Sequence, residues 1–147
     1  MSKSDATENA FLKLVYQAVA WANVADNAAS SPFTHIDYSL NTADPGESGT
    51  AATSEITYTS YARAVKSRNA TDHTVTANSM SPASSITFPA GTGGSGTAAH
   101  FTTSFASNST PTSTTNAIIH SGTVTPNIVC GSGVTPSLTT STAITED

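Results

Sequence analysis

From residue 33 onward, the sequence alternates between short segments typical of β-strands and clusters of turn-forming residues. The segments are rich in Val, Ile, Thr and Tyr, which favour strands, and Gly, Pro, Asn or Ser separates them. The strand candidates are residues 33–40, 55–65, 74–79, 84–88, 98–105, 117–124, 127–130 and 137–144. Short strands at this spacing, with no helical segments between them, predict an antiparallel β-sandwich or a jelly-roll-like domain rather than a parallel sheet.

The first strand and the turn after it give the clearest local pattern. Ile36, Tyr38 and Leu40 alternate with polar residues, which predicts a half-buried strand. An Asp-Pro-Gly turn then begins at Asp44. Proline presets φ at the second position of a turn, and Gly46 can supply the positive φ that a type II turn needs at the third. The side chain of Asp44 is expected to accept hydrogen bonds from nearby backbone N–H groups.

One helix is predicted, over residues 5–26. Asp5 and Glu8 have the spacing of a capping box, and apolar residues then recur at helical spacing along one stripe. Further apolar side chains lie off this stripe, so the helix is expected to contact both its own domain and a neighbouring molecule. Alternatively, Trp21 covers the end of the core. The residues expected at contacts with a neighbouring molecule are Phe11, Leu12, Tyr16 and Trp21.

The length of 147 residues fits one structural unit, with residues 1–30 as an N-terminal helical arm and 31–147 as the β-sandwich. Only 10% of the residues are charged and the net charge is −5, so a phosphate-binding surface is not expected and nucleic acid is not an expected partner. No apolar run approaches the ~20 residues of a membrane span. Cys130 is the only cysteine and is expected to be a small buried hydrophobe.

No catalytic, cofactor or metal site is expected. Residues 91–96 match the glycine spacing of a dinucleotide-binding loop, but a strand-like segment follows instead of a helix. A triad assembled from Ser95 or Ser132, a histidine and Asp72 has no support in spacing. The carboxylates do not form a recognisable glycosidase pair. The four histidines are scattered singly, whereas a metal site needs three or four converging ligands. A small-molecule substrate is therefore not expected.

Four short motifs occur in one order within residues 36–105. They are residues 40–50 (Leu-Asn-Thr-Ala-Asp-Pro-Gly-Glu-Ser-Gly-Thr), 60–63 (Ser-Tyr-Ala-Arg), 86–89 (Ile-Thr-Phe-Pro) and 96–101 (Gly-Thr-Ala-Ala-His-Phe). In this order they resemble a family of small structural proteins of tailed bacteriophages, often labelled tail-fibre-like, several of which are capsid decoration or cement proteins. The sequence departs from the family pattern at Ser95, where an aromatic residue often stands.

The resemblance implies a β-sandwich protomer, a homotrimer, and a place on the outer surface of the virion capsid over the junctions of the major capsid protein. Such a protein is made in the host cytoplasm and acts by contact rather than by catalysis. Two alternatives remain open. One is a component of a tail or receptor-binding fibre. The other is a carbohydrate-binding β-sandwich module, for which Tyr38, Tyr58 and Tyr61 would be the candidate aromatics.

Overall fold

A computed structural model describes residues 4–21, 32–110 and 117–146 of the chain. These residues form an antiparallel β-sandwich with one N-terminal helix, so the predicted fold class is confirmed. The elements are α1 (Asp5–Gln17), β1 (His35–Asn41), β2 (Ala64–Ser67), β3 (His73–Thr76), β4 (Ser79–Pro82), β5 (Ile86–Thr87), β6 (Ser95–Ala106), β7 (Ile118–Gly131), β8 (Ser137–Leu138) and β9 (Ile144–Thr145).

Helix α1 begins and ends at residues other than those predicted. Ser4, not Asp5, is the N-cap, and its hydroxyl accepts a hydrogen bond from the Thr7 N–H. The helix stops at Gln17 instead of continuing to residue 26, because Ala18 adopts the left-handed conformation (φ 54°) and turns the chain away. The part of the predicted helix beyond Trp21 lies outside the described residues.

The main sheet has the strand order β2-β1-β6-β7, and every neighbouring pair is antiparallel. Strands β1 and β6 pair over their whole common length, from His35 opposite Ala106 to Asn41 opposite His100. Two smaller sheets, β3-β4-β9 and β5-β8, complete the fold. Helix α1 contacts β3 and β4, and its Tyr16 hydroxyl lies 3.1 Å from the Thr103 hydroxyl of β6.

Strand β1 is buried on both faces, whereas the alternating pattern predicted burial on one. Ile36, Tyr38 and Leu40 belong to the hydrophobic core, as expected. The polar residues between them are buried as well, because the chain after β1 folds back over that face. Ser39 donates to the Ala51 carbonyl and lies 2.5 Å from the Thr102 hydroxyl. Hydrogen bonds thus replace water around Ser39 and Asn41 on this face.

Several strand predictions are corrected. The candidates 74–79 and 137–144 were each predicted as one strand, but the first contains parts of β3 and β4 and the second contains β8 and the start of β9. Residues 55–65 form mainly a bent connection, with Ser54 and Ser60 at positive φ, and only the end of the segment enters β2. The candidates 117–124 and 127–130 are parts of one strand, β7. The predicted break survives as a bulge, since residues 124–127 stand opposite Ala99 alone.

The Asp-Pro-Gly turn is confirmed. Gly46 has φ 70°, and Asp44 Oδ1 accepts a hydrogen bond from the Gly46 N–H at 3.0 Å. The burial predicted for Cys130 is also confirmed, with 1% of the residue exposed. No helix among the described residues has the length and apolar character to cross a membrane.

Candidate functional site

A largely buried chain of hydrogen bonds joins α1 to the main sheet and to Glu146, the residue after β9. The Tyr16 hydroxyl lies 2.7 Å from Nδ1 of His120 on β7, and Nε2 of His120 lies 2.7 Å from Oε1 of Glu146. Thr103 supplies a further partner for the phenol at 3.1 Å. Burial raises the pKa of Tyr16 above its ordinary value, so the phenol keeps its proton.

The Tyr16–His120–Glu146 hydrogen bonds contain the residue types of a catalytic relay, but the Tyr16 hydroxyl is not accessible to a substrate. Tyr16 is fully buried in the core and its ring is packed between His73 and His120, with centroids at 5.4 and 5.8 Å. A nucleophile must be accessible to a substrate, whereas the Tyr16 hydroxyl lies on a fully buried side chain. The geometry instead fixes α1 on the sheet, because a buried, paired polar group specifies one docking position.

His73 adds a second buried polar contact beside the first. Its Nε2 lies 2.9 Å from the Tyr38 hydroxyl, and the two rings stack at 6.1 Å. Burial lowers the pKa of His73 to about 4, so the imidazole is neutral at pH 7. The backbone carbonyl of His73 accepts a hydrogen bond from the Gln17 amide of α1 at 2.9 Å.

Arg68 holds the C-terminal end of α1. Its guanidinium donates from Nε to the Val15 carbonyl and from Nη2 to the Leu14 carbonyl, each at 2.6 Å. It also donates to the Phe33 carbonyl and lies over the ring of Phe105. The last carbonyls of a helix lack helical partners and carry partial negative charge, so a cation stabilises them.

A third buried cluster surrounds Arg63. Its Nε and Nη2 each lie 2.8 Å from one oxygen of Glu55, a two-pronged ion pair, and Nη1 lies 4.0 Å from Asp37. The hydrogen bond to Glu55 is the main cause that raises the pKa of Arg63. Tyr61 donates to Glu55 at 2.9 Å and accepts from the Leu40 N–H at 3.1 Å. The cluster therefore ties the connection before β2 to β1.

The four motifs behind the family resemblance meet in one part of the fold. Leu40 stands opposite Phe101 across the β1–β6 ladder, which joins the first motif to the fourth. The Tyr61 ring stacks on Phe88 at 6.3 Å, which joins the second to the third. The bond from the Leu40 N–H to the Tyr61 hydroxyl joins the two pairs. The motifs are thus parts of one packed unit rather than scattered surface features.

The predicted interface residues occupy different environments. Leu12 and Tyr16 have no exposed surface in this chain, because both enter its hydrophobic core. Phe11 and Trp21 are partly buried, and the Phe11 ring meets the edge of His120 at 6.4 Å. The interface role of this segment stays a prediction. The exposed apolar residue beside it is Val19, of which 48% is exposed.

The aromatics considered for a carbohydrate platform are largely inside the fold. Tyr38 is fully buried, and Tyr58 is 2% exposed with its hydroxyl bound to the Pro89 carbonyl. Tyr61 is partly buried in the Arg63 cluster. These three rings do not form an exposed platform for sugar stacking.

Several residues weighed for catalysis and metal binding make structural contacts. Ser95 begins β6 inside the glycine-rich run, whereas the strand was predicted to begin at residue 98, and Asp72 accepts a hydrogen bond from the Ser67 N–H. Asp37 and Glu55 both face the guanidinium of Arg63. Within residues 4–21, 32–110 and 117–146, no three His, Cys, Asp or Glu side chains are grouped to hold a metal ion.

Strand β7, at one edge of the main sheet, carries an exposed apolar side chain. Val129 on this strand is 68% exposed, the highest value among the large hydrophobic residues described. Residues of β7 line two grooves. One, of about 360 Å³, lies between residues 118–121 and the turn at Asp44. The other, of about 480 Å³, lies between residues 123–128 and the segment 137–143.

Sequence reasoning missed the Tyr16–His120–Glu146 chain and the Arg68 cap. Tyr16 and His120 are 104 residues apart, and no local pattern connects them. The sequence around Arg68 likewise does not indicate that its side chain binds the C-terminal end of α1.

A comparison with protein-family models found no matching family, and a comparison with curated proteins found no match.

Proposed function

We propose that this chain is a structural protein of a phage virion, a capsid decoration protein that binds the outer surface of the head as a homotrimer and stabilises it. The observation that carries the proposal is the meeting of the four motifs in one packed unit, through the Leu40–Phe101, Tyr61–Phe88 and Leu40–Tyr61 contacts. Motifs that hold a fold together are those that a shared fold would retain, so their convergence supports the resemblance.

The surface of the described residues suits a protein that works by contact. Few residues are charged, and large apolar side chains remain exposed at Val19, Phe33, Val129 and Val134. Covering such side chains on a neighbouring subunit removes apolar area from water, at roughly 25 cal/mol per Å². An interface of about 800 Å² per partner is enough for stable association.

Repetition over a shell would increase the effect of each contact. A protein that binds the assembled shell and not its dissociated subunits stabilises the assembly by mass action. When one protomer of a trimer is bound, the others bind at a high effective concentration. The binding free energies of modest contacts would thus add up across the subunit junctions and stabilise the shell.

The test is the copy number of this chain in purified particles, measured against the major capsid protein by quantitative mass spectrometry. Decoration predicts a ratio near one to one, or another ratio set by the shell lattice. A few copies per particle would place the chain in the tail or a fibre and overturn the proposal. Absence from particles would overturn every virion assignment.

A further inference from the structure

Among the described residues, the outer edge of β7 has no strand partner. Strand β7 pairs with β6 on one side, and no described residue pairs with its other side between Ile118 and Cys130. In an antiparallel strand, alternate residues direct their N–H and C=O groups toward each edge, so this edge presents unpaired donors and acceptors.

The two grooves lie along this edge. Four consecutive residues, 118–121, line the first groove, and residues 123–126 and Ile128 line the second. Together the grooves follow β7 over most of its length, as a path for an extended segment.

The floor of the second groove is apolar because β6 reaches across β7. Phe101 stands opposite Gly122, and a Cβ on that glycine would lie 2.8 Å from Cε1 of the phenyl ring. The missing side chain therefore lets the ring extend over β7 into the groove, beside Ile128 and Leu138. An apolar side chain of an added strand would contact this floor.

The two edges of the main sheet differ in charge. The edge strand β2 carries Lys66, and a lysine on an edge strand protects it against further pairing. Strand β7 has 14 residues and no Lys, Arg, Asp or Glu. Its bulges, at Ile119 and at residues 124–127, bend the edge but leave His120–Thr123 and Ile128–Gly131 in regular register.

We propose that the β7 edge accepts an extended, basic segment of a partner protein as an added antiparallel or parallel strand. Asp44 and Glu47 line the first groove, and the net charge of the chain is −5. A second copy of this chain would bring the same negative charge, whereas Lys or Arg side chains complement the groove. Given the proposed function, on which this step rests, the segment belongs to the major capsid protein.

The experiment uses the full-length chain and purified heads of its own virion from which the chain has been removed. A photo-reactive p-benzoylphenylalanine replaces Ser121 or Thr123, both exposed on β7, and Thr74, exposed on β3, in the control. After binding and illumination, crosslinked peptides are mapped by mass spectrometry. We expect positions 121 and 123 to crosslink to one segment of the major capsid protein that contains Lys or Arg, and position 74 not to reach that segment.

Charge variants give an independent measurement on the same heads. Ser121→Lys and Thr123→Lys place a cation on the edge and should weaken head binding about tenfold or more, whereas Thr74→Lys should leave it unchanged. Asp44→Asn and Glu47→Gln should each weaken binding roughly two- to five-fold at low salt, with the difference lost at high salt. Asn keeps an oxygen for the Gly46 N–H, so the turn is retained.

The outcomes separate the two proposals. If the wild-type chain does not bind heads, the proposed function and the edge assignment both fail. If it binds, but positions 121 and 123 crosslink to nothing, the edge assignment alone is overturned. Crosslinks between two copies of this chain would identify β7 as a subunit interface and also overturn it. Unchanged binding by both lysine variants would lead to the same conclusion.

Discussion

The Tyr16 hydroxyl lies 2.7 Å from Nδ1 of His120, a residue 104 positions later in the chain. His120 in turn contacts Glu146, so one side chain links the helix near the N-terminus to the last described residue. The position of α1 is thus set by directional contacts as well as by the burial of Leu12 and Val15.

Removing that hydroxyl should cost stability without changing the packing volume. Tyr16→Phe leaves His120 and Thr103 short of a buried partner, so we expect a loss of about 1–3 kcal/mol in the free energy of unfolding. Urea denaturation measures it. In a double-mutant cycle with Glu146→Gln, the two effects should not add, because both residues contact His120. Strict additivity would show that the chain of contacts is not a unit.

Stability should fall as the solution is acidified through the range set by His73. Its pKa is lowered to about 4 in the folded protein, against about 6.5 in the unfolded chain. Between these values the unfolded state binds more protons, so the free energy of unfolding decreases as pH falls from 6.5 to 4, by up to about 3 kcal/mol from this residue. Below pH 4 its contribution to the slope ends.

The histidine responsible can be identified by substitution. His73→Gln should flatten the stability profile between pH 6.5 and 4, whereas His35→Gln, at the partly exposed start of β1, should keep it. Urea midpoints at several pH values supply the profile. An unchanged slope in His73→Gln would assign the acid sensitivity to other groups.

The arginine at the end of α1 should stabilise the helix specifically. Arg68→Met removes the donors to the Leu14 and Val15 carbonyls while keeping an apolar side chain beside Phe105. We expect about 2 kcal/mol of destabilisation. The matched change Lys66→Met, whose ammonium contacts only the exposed Ser84 hydroxyl in the described hydrogen bonds, should stay within about 0.5 kcal/mol. Equal effects of the two changes would argue against a capping role.

The buried ion pair should tolerate little change. Arg63→Met removes the cation that faces Glu55 and Asp37, and we expect a loss of about 3–5 kcal/mol. Arg63→Lys keeps the charge but not the two parallel hydrogen bonds, so its cost should lie between wild type and Arg63→Met. Thermal unfolding ranks the three proteins. A lysine variant as stable as wild type would show that charge alone suffices.

Within the glycine-rich run, position 91 should be far less tolerant than position 93. A Cβ on Gly91 would clash with the backbone carbonyl of Gly131, which cannot move without disturbing β7. At Gly93 the nearest atom is the Thr59 hydroxyl, at 3.3 Å. Gly91→Ala should therefore lower the melting temperature by several degrees more than Gly93→Ala. Similar melting temperatures would mean that the 91–131 contact is loose.

Local patterns were sufficient where one residue type decides the conformation. The turn at Asp44 and Gly46 follows from proline geometry, a positive φ and a short carboxylate, all of which are readable in sequence. The core face of β1 follows from period-two alternation. The mainly β architecture follows from the composition and from the spacing of the Gly, Pro, Asn and Ser residues that separate the strands.

Distant contacts decided the rest. The helix was predicted to continue to residue 26 because alanine-rich sequence favours helix, but Ala18 turns left-handed and Arg68 binds the exposed carbonyls. Leu12 and Tyr16 lie off the main apolar stripe, yet both are buried, because the fold surrounds more of the helix than one face. The polar face of β1 is covered by the chain near Ala51, which periodicity does not reveal.

The hydroxyl contact between Ser39 and Thr102 has a consequence for folding fidelity. These residues stand directly opposite each other in the β1–β6 ladder, inside a face closed to water. A shift of the β1 register by one residue would turn Ile36, Tyr38 and Leu40 toward this polar layer. It would also bury the Ser39 hydroxyl among apolar side chains, so the shifted register is unfavourable on both faces. A misaligned pairing of β1 with β6 would therefore lose free energy on both faces of the strand. The apolar face and the polar face each favour the same register.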